Sequence, residues 1–298
     1  QEIADTQRPN FANALQGRVA GLTVTSSTGA PGASTAIQLR GVNSLSGNNT
    51  PLYIVDGLPV SNETLSQGLM ISDAPNRNQD YTNRGADINP EDIESVTILK
   101  GPEAAALYGM QAGNGAIVIT TKKGRKGVGR VTYSTNTRLD QIYRFPETQM
   151  VYQRGSGGIT NTDYRRQMGE AFAPGTKFYD NIDHFFRTGT STTHNLSFEA
   201  GTETTSYRLS LSNLKQEGVT PNTSYDRLTA SLDATARISP KFKSEGAFSF
   251  TKSENQKASK GGYGGLTGSN GYLLTLLGWP QNLDVRDYLN TDKKKKKI

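Results

Sequence analysis

The sequence predicts an α+β domain with a small mixed sheet over residues 1–126, followed by antiparallel strands of a large transmembrane β-barrel over residues 127–298. The first part alternates short apolar segments with glycine turns and one alanine-rich helix. The second part carries segments of about ten residues that each have one apolar and one polar side. The connections between these later segments are short at one end and long at the other, which is typical of a membrane barrel.

The best-defined unit of the first domain spans residues 93–124. Alternating apolar residues over 93–99 predict a short, half-buried strand. Gly101 and Pro102 predict the start of a helix, because proline is preset for the first helical position. The helix is predicted to end at Gly109, since glycine tolerates the left-handed conformation found at helix C-termini.

Two turns flank the apolar strands of this domain. Asn114 and Gly115 predict a turn before an almost wholly apolar strand at 116–121. Asp56 and Gly57 follow another apolar strand and are a favoured pair for a two-residue hairpin turn. The result is a compact unit with little room for a catalytic pocket.

The other elements of the first domain are shorter. Apolar residues four apart predict an amphipathic helix over 11–19. Alternation predicts strands at 22–24 and 37–39, and the polar residues 61–88 are predicted to form a loop. Residues 89–92 predict one capped helical turn that leads into the strand at 93.

Five strands are predicted beyond a basic, glycine-rich linker at 122–129. They cover residues 131–139, 196–200, 205–212, 227–238 and 241–251. Short turns near Gly201 and Pro240 alternate with longer connections at 144–189 and 217–224. A soluble β-sandwich has no reason to place its short and long connections at opposite ends, so the pattern favours a barrel.

Composition excludes several functional classes. The chain has no cysteine, which excludes disulfides and thiol chemistry. Five of its six net positive charges belong to the run Lys293–Lys297, and no basic stripe with interleaved aromatics occurs elsewhere, so we predict no nucleic-acid partner. No apolar run approaches the roughly 18 residues that a transmembrane helix needs, although alternating barrel strands escape that test.

No residue pattern predicts catalysis or a cofactor. His184 and His194 lack the neighbouring ligands of a zinc site, which favours surface or barrel-rim positions. Four carboxylates lie close in sequence: Asp87, Glu91, Asp92 and Glu94. Paired carboxylates can catalyse glycoside hydrolysis, but helix capping and solvation are the simpler explanation here. We therefore predict no enzyme, no metal site and no cofactor.

Three ordered blocks carry a family signature: LQGRVAGL at 15–22, IQLRGV with PLYIVDG over 37–57, and KGP, LYG and NGAIVITTKKG over 100–124. They resemble the plug domain of TonB-dependent outer-membrane transporters, and more narrowly the SusC/RagA-type branch. The resemblance covers residues 11–124. It implies a plug inside a barrel of about 22 strands, so most of the strands are expected outside these 298 residues.

The resemblance also implies a function. Members of this branch import glycans or peptides across the outer membrane, energised by TonB, while the plug gates the barrel lumen. The implied partners are a SusD-like surface lipoprotein, the TonB complex, a nutrient ligand and outer-membrane lipid, in a Gram-negative, Bacteroidota-like bacterium. The alternatives are a SusC-like barrel within a larger envelope or secretion assembly, and a soluble β-rich glycan-binding protein. The sequence identifies neither the cargo, the residues that bind it nor the TonB-contacting segment.

Arg40 and Lys100 are the candidate plug–barrel contacts. Each ends a predicted strand and precedes a glycine. In relatives, cationic plug residues near the corresponding segment contact carboxylates of the barrel wall. The resemblance therefore implies that Arg40 and Lys100 hold the plug in the lumen, and a solvated strand end is the alternative for both.

Overall fold

The computed structural model describes residues 6, 10–43, 49–62, 82–161, 166–258 and 271–288. These residues form a four-stranded sheet, a five-stranded sheet and two small hairpins. The run Lys293–Lys297 lies outside the described residues.

The N-terminal domain, residues 10–121, contains the predicted small mixed sheet. Its elements are α1 (Phe11–Ala14), β1 (Leu22–Ser26), β2 (Thr35–Leu39), β3 (Leu52–Val55), β4 (Leu58–Val60), β5 (Ile93–Leu99), α2 (Pro102–Tyr108) and β6 (Ala116–Thr121). Strands β1 and β2 form an antiparallel hairpin. The four-stranded sheet has the order β4-β3-β6-β5, in which β3 and β6 are parallel and the other pairs antiparallel.

The predicted turns and caps are confirmed. Asp56 and Gly57 have φ angles of 47° and 86°, as a tight hairpin between β3 and β4 requires. Helix α2 begins directly after Gly101 and ends at Gly109, whose N–H donates to the carbonyl of Ala105. The side chain of Asn89 accepts from the N–H of Glu91 and caps a single 3₁₀ turn.

The helix predicted over 11–19 is wrong in length, because α1 ends at Ala14. Its start is secured by Asn10, whose side chain accepts from the N–H of Ala12. Gly17 and Gly21 have φ angles of 75° and 74°, so the chain turns where the apolar spacing alone predicted another helical turn.

The core of the N-terminal domain lies between α1, the β1–β2 hairpin and one face of the four-stranded sheet. Its largest buried side chains are Phe11, Ile37, Tyr53, Ile117 and Ile119. A smaller cluster under α2 is rich in alanine, which lets the helix lie close to the sheet.

Tyr53 packs edge-to-face against Phe11, with ring centroids 5.9 Å apart. Its buried hydroxyl makes no hydrogen bond within the described part of the chain, and burial raises the pKa of this hydroxyl. A folded-state pKa above the unfolded value stabilises the fold at pH below about 10, and this contribution is lost as the pH rises further.

We therefore expect Tyr53→Phe to leave the free energy of unfolding unchanged or to raise it by about 1 kcal/mol at pH 7. Above pH 10 the variant should retain stability that the parent protein loses. Thermal unfolding of both proteins between pH 8 and pH 11 measures the difference, with Tyr108→Phe as a half-buried control. A stability difference that does not widen with pH would contradict the assignment.

The wall sheet consists of five antiparallel strands, which are β7 (Gly127–Asp140), β10 (Gly189–Gly201), β11 (Thr205–Glu217), β12 (Ser224–Ser239) and β13 (Phe242–Gln256). They lie in the order β13-β12-β11-β10-β7. Between and after them lie β8 (Gly155–Ser156), β9 (Ile159–Thr160), α3 (Asn181–Phe185), α4 (Gly271–Leu277) and a 3₁₀ turn at Val285–Tyr288. Strand β7 begins one residue after the predicted boundary at 126, and the domain division itself stays a prediction.

All five predicted strands are confirmed, as is the separation of their connections. Residues 202–204 and 240–241 form tight turns at one end of the wall sheet, whereas 141–188 and 218–223 connect strands at the other end. The strands have 13–16 residues rather than about ten. They are longer because backbone pairing continues through polar residues beyond the apolar segments.

The two faces of the wall sheet differ in polarity, and the polar face is the buried one. Leu209, Leu211 and Leu228 point away from the N-terminal domain and are 41–45% exposed. Arg208 and Ser210, on the opposite face, are at most 5% exposed. The polar face therefore packs against the N-terminal domain and the apolar face points outward, the reverse of a water-soluble sheet protein.

Among the described residues, no helix combines the length and the apolar character that crossing a bilayer requires.

Candidate functional site: the interface between the N-terminal domain and the wall sheet

The N-terminal domain contacts the inner face of the wall sheet through side chains that the wall contributes. Because neighbouring strands are in register, inward-facing residues form rows across the sheet. One row near the tight turns contains Arg130, Glu199, Arg208 and Asp233. Opposite charges alternate along this row, which is a favourable arrangement for cross-strand pairs.

Arg208 binds the N-terminal domain from the centre of that row. Its Nη1 donates to Oδ1 of Asp92 at 2.8 Å, and the two side chains are only 6% and 11% exposed. The second carboxylate oxygen of Asp92 accepts from the side chain of Asn89 at 3.0 Å. Removing one partner of such a buried pair leaves the other charge without compensation, which makes this contact strong and specific.

Arg227 binds the backbone of the N-terminal domain. Its Nη1 donates to the carbonyl oxygen of Ala86 and, at 3.3 Å, to that of Ile88. The hydroxyl of Tyr225 donates to the same Ala86 carbonyl at 3.4 Å. These carbonyls belong to a 3₁₀ turn over Arg84–Asp87 and its flank, where backbone acceptors need partners from outside the turn.

Gly32 makes the closest backbone approach near the end with the long connections. Its φ is 59°, and a Cβ built on it would lie 2.6 Å from Cδ2 of Tyr225. The side chain of Asn255 donates to the carbonyl oxygen of Gly32 at 3.3 Å and also to Thr82. Only glycine satisfies both the conformation and the space at this position.

At the opposite end, the linker crosses the inner face of the wall sheet. Gly124 lies directly against the backbone of Tyr207, and Lys123 pairs with Glu245 at 2.6 Å. The hydrogen bond to Glu245 raises the pKa of Lys123. Both side chains are more than a third exposed, so this pair contributes little to stability.

The predicted contacts Arg40 and Lys100 lie elsewhere in the N-terminal domain. Arg40 is exposed at the end of β2, with a φ of 61°, and its N–H donates to the carbonyl of Gly21. Lys100 is half-buried between β5 and α2. Neither forms an ion pair with the five described wall strands, and whether they contact a barrel wall stays a prediction.

The predicted signature turn at Asn114 and Gly115 leads directly into β6, a central strand of the four-stranded sheet. Asn43 donates to the side chain of Asn114 at 3.3 Å. Gly115 has a φ of 98°, and its carbonyl accepts from the N–H of Leu52 at 3.0 Å. This turn positions β6 next to β3.

Sequence reasoning missed Asp92, Arg208 and Arg227. The explanation by capping and solvation is wrong for Asp92, because its carboxylate is buried against Arg208. A signal was available, since both arginines stand among serines and threonines on the polar side of predicted strands.

Within the described residues, no group of His, Cys, Asp and Glu side chains could hold a metal ion. His194 contacts Tyr133 on the outer face, with its Nδ1 2.9 Å from the tyrosine hydroxyl.

Similarity to known proteins agrees with this architecture. Residues 1–116 match the TonB-dependent Receptor Plug Domain family. The chain is 33% identical to TonB-dependent receptor SusC of Bacteroides thetaiotaomicron over 235 residues, which cover 78% of this chain and 22% of SusC. This chain belongs to the SusC/RagA-like TonB-dependent receptors. Its N-terminal domain is therefore a plug, and its wall sheet consists of antiparallel barrel strands.

Two further similarities support this family assignment. The chain is 30% identical over 270 residues to TonB-dependent receptor P26 of Formosa agariphila, covering 88% of this chain and 24% of that protein. It superimposes on the RagAB peptide importer in its closed-closed state with a TM-score of 0.69 and 25% identity, covering 86% of this chain and 30% of the other. The SusC/RagA-like chain thus spans less than a third of these relatives.

Proposed function

We propose that this chain supplies the plug and several wall strands of a receptor that imports a glycan or peptide nutrient across the outer membrane, energised by TonB. The observation that carries the proposal is the sidedness of the wall sheet, with its polar face on the plug and its apolar face outward. A soluble glycan-binding protein predicts the opposite arrangement. The relatives are a TonB-dependent receptor and a peptide importer, and none is an enzyme by name.

The height of the apolar face fits a bilayer. On β12, outward apolar residues extend from Leu228 to Ile238. At about 3.4 Å per residue this distance is about 34 Å along the strand, and a tilt of about 40° reduces it to about 25 Å along the membrane normal. Beyond Leu228 the outward residues Asp226, Lys215 and Glu254 are charged, as expected above the hydrocarbon region.

The proposed orientation places the tight turns in the periplasm and the long connections outside the cell. The plug then enters from the periplasmic side, where the linker crosses β11 at Gly124. The proposed partners are a SusD-like surface lipoprotein, the TonB complex, the nutrient and outer-membrane lipid, in a Gram-negative, Bacteroidota-like bacterium. Arg40 and Lys100 are proposed to contact wall strands other than the five described.

Import through this lumen requires the plug to move relative to the wall. The contacts that hold it are the buried Arg208–Asp92 pair, the bonds of Arg227 to the plug backbone, and the close approach of Gly32 to Tyr225. Each consists of hydrogen bonds and packing without any covalent link. A pulling force can therefore break these contacts, and they can form again when the force is released. The gate therefore consists of non-covalent contacts between the plug and the wall.

A reversible disulfide tests the gating role, because these 298 residues contain no cysteine. A Cβ on Gly32 would lie 2.9 Å from Cγ of Tyr225, which brings the two β-carbons into the range of a disulfide. We expect cells with Gly32→Cys/Tyr225→Cys to lose TonB-dependent uptake of labelled oligosaccharides and peptides under oxidising conditions and to regain it after reduction. The controls are the reduced double variant and the single variant Tyr225→Cys, which leaves Gly32 in place.

Three results would count against import by this gate. One is unchanged uptake by the oxidised double variant, and another is uptake that continues without TonB. The third is a receptor that takes up no solute but is required for export or surface assembly, which would favour the alternative role in a larger envelope or secretion assembly.

A further inference from the structure

A polar cavity of about 460 Å³ lies at the end of the interface that faces the long connections. The plug lines it with the hairpin loop between β1 and β2 and with the start of α1, and the wall lines it with Arg138, Gln216 and Tyr225. This volume falls within the range of small-molecule sites. In the proposed orientation, the cavity is on the side from which cargo arrives.

One inward-facing row of the wall explains why the cavity is there. The row contains Arg138, Ser191, Gln216, Tyr225 and Asn255. Tyr225 and Asn255, on β12 and β13, clamp the plug at Gly32. Arg138 on β7 and Gln216 on β11 belong to the other half of the row, where the cavity lies between the wall and the plug. The gap therefore lies beside a rigid contact.

Gln216 is the most informative residue of the lining. Only 7% of the residue is exposed, and its side chain forms no hydrogen bond to any described residue. A side-chain amide offers two donors and an acceptor, and those of Gln216 border the cavity and are available to a ligand there. A ligand that supplies hydroxyl groups would satisfy this amide.

The lining is close to neutral. Its one charged side chain is Arg138, whose guanidinium binds the carboxylate of Asp140 at 3.0 and 3.2 Å. The remaining polar lining consists of amides and hydroxyls, on Asn10, Asn13, Gln16, Thr25, Ser26 and Thr28. Among the described lining residues there is no carboxylate to bind a peptide ammonium group. The chemistry therefore favours a neutral, hydroxyl-rich ligand.

We propose that this cavity binds a neutral sugar unit of the cargo and that Gln216 donates to and accepts from its hydroxyl groups. The proposal rests on the import function above and narrows its substrate class from glycan or peptide to neutral glycan. Arg138, held by Asp140, borders the cavity and does not provide a site for an anionic group.

Binding measurements on the full-length receptor, purified in detergent, test the proposal. The probes are an array of neutral and uronic-acid-containing oligosaccharides and a pooled tripeptide library. We expect neutral oligosaccharides to be selected. Gln216→Ala should then weaken binding of the selected sugar about five- to tenfold by calorimetry, the effect of losing one or two hydrogen bonds.

Two further variants separate binding from folding. A Cβ on Gly29 meets nothing within 4 Å, and Gly29 lines the cavity, so Gly29→Leu should reduce its volume and weaken binding without touching Gln216. Gln256→Ala is the matched control, because Gln256 is exposed and pairs with Ser224 on the neighbouring strand. This control should bind the sugar as the parent receptor does.

The proposal would be overturned if the receptor bound peptides or acidic glycans preferentially, or if it bound no neutral oligosaccharide. It would also be overturned if Gln216→Ala and Gln256→Ala lowered the affinity for the sugar equally. The proposed import function is tested by a different measurement, which is solute uptake by cells that carry the disulfide-locked receptor. Peptide uptake that the lock abolishes would leave import intact and remove only the assignment of a sugar site.

Discussion

Arg208→Ala is expected to lower the free energy of unfolding by about 3–5 kcal/mol and to loosen the plug from the wall. The substitution leaves the buried carboxylate of Asp92 without its cation. It also leaves Glu199 and Asp233, the cross-strand neighbours of Arg208, without the positive charge between them. Denaturant unfolding of the detergent-solubilised receptor and protease cleavage of the plug in outer membranes measure the two effects.

Two comparisons define the mechanism of this loss. Arg130→Ala removes the same side chain from the same row at an exposed position and should change the free energy of unfolding by less than about 1 kcal/mol. The double variant Asp92→Leu/Arg208→Met should recover much of the loss, because an apolar pair leaves no buried charge. Equal effects of Arg208→Ala and Arg130→Ala would refute a specific role for the buried pair.

Gly115→Ala is expected to lower the free energy of unfolding of the plug by about 3 kcal/mol or more. The φ of 98° at this position is unfavourable for any residue with a Cβ. An added Cβ would also lie within van der Waals overlap of Leu39 and 2.8 Å from the carbonyl oxygen of Leu99. A backbone carbonyl in a strand cannot move away cheaply, so strain and overlap add.

Gly57→Ala separates these two contributions. Gly57 has a similar φ of 86°, but a Cβ built on it meets nothing within 4 Å. This variant should lose only the conformational term of about 1–2 kcal/mol. Thermal unfolding of both variants measures the difference, and losses of the same size would show that packing around Gly115 contributes nothing.

The sequence predicts local structure well where one residue type has a single physical reason to be present. Pro102 and Gly109 bound helix α2 as predicted, and Asp56 with Gly57 forms the predicted hairpin turn. Prediction failed where two local signals competed. The apolar spacing of 11–19 favours a longer helix, but the helix ends at Ala14 and Gly17 then turns the chain in a left-handed conformation.

The candidate site was predicted less well, because its partners are far apart in sequence. Asp92 lies in a cluster of carboxylates whose local context suggests capping, and its partner Arg208 belongs to a strand in another part of the chain. Arg40 and Lys100 were selected by resemblance, and the described wall strands provide neither with an ion pair. Gln216 lies beyond the strand predicted over 205–212, and it faces inward because β11 extends to Glu217.

The sequence by itself determined the family, the order of plug and wall, the five strands with their alternating faces, and the ends at which their connections lie. These properties depend on residue spacing and turn chemistry within a few residues. Only the tertiary structure decided that the polar face meets the plug, that Arg208 and Arg227 hold it, and that Gln216 borders a cavity. Such contacts depend on strand register and domain docking, which bring together side chains more than a hundred residues apart, and local spacing does not encode that distance.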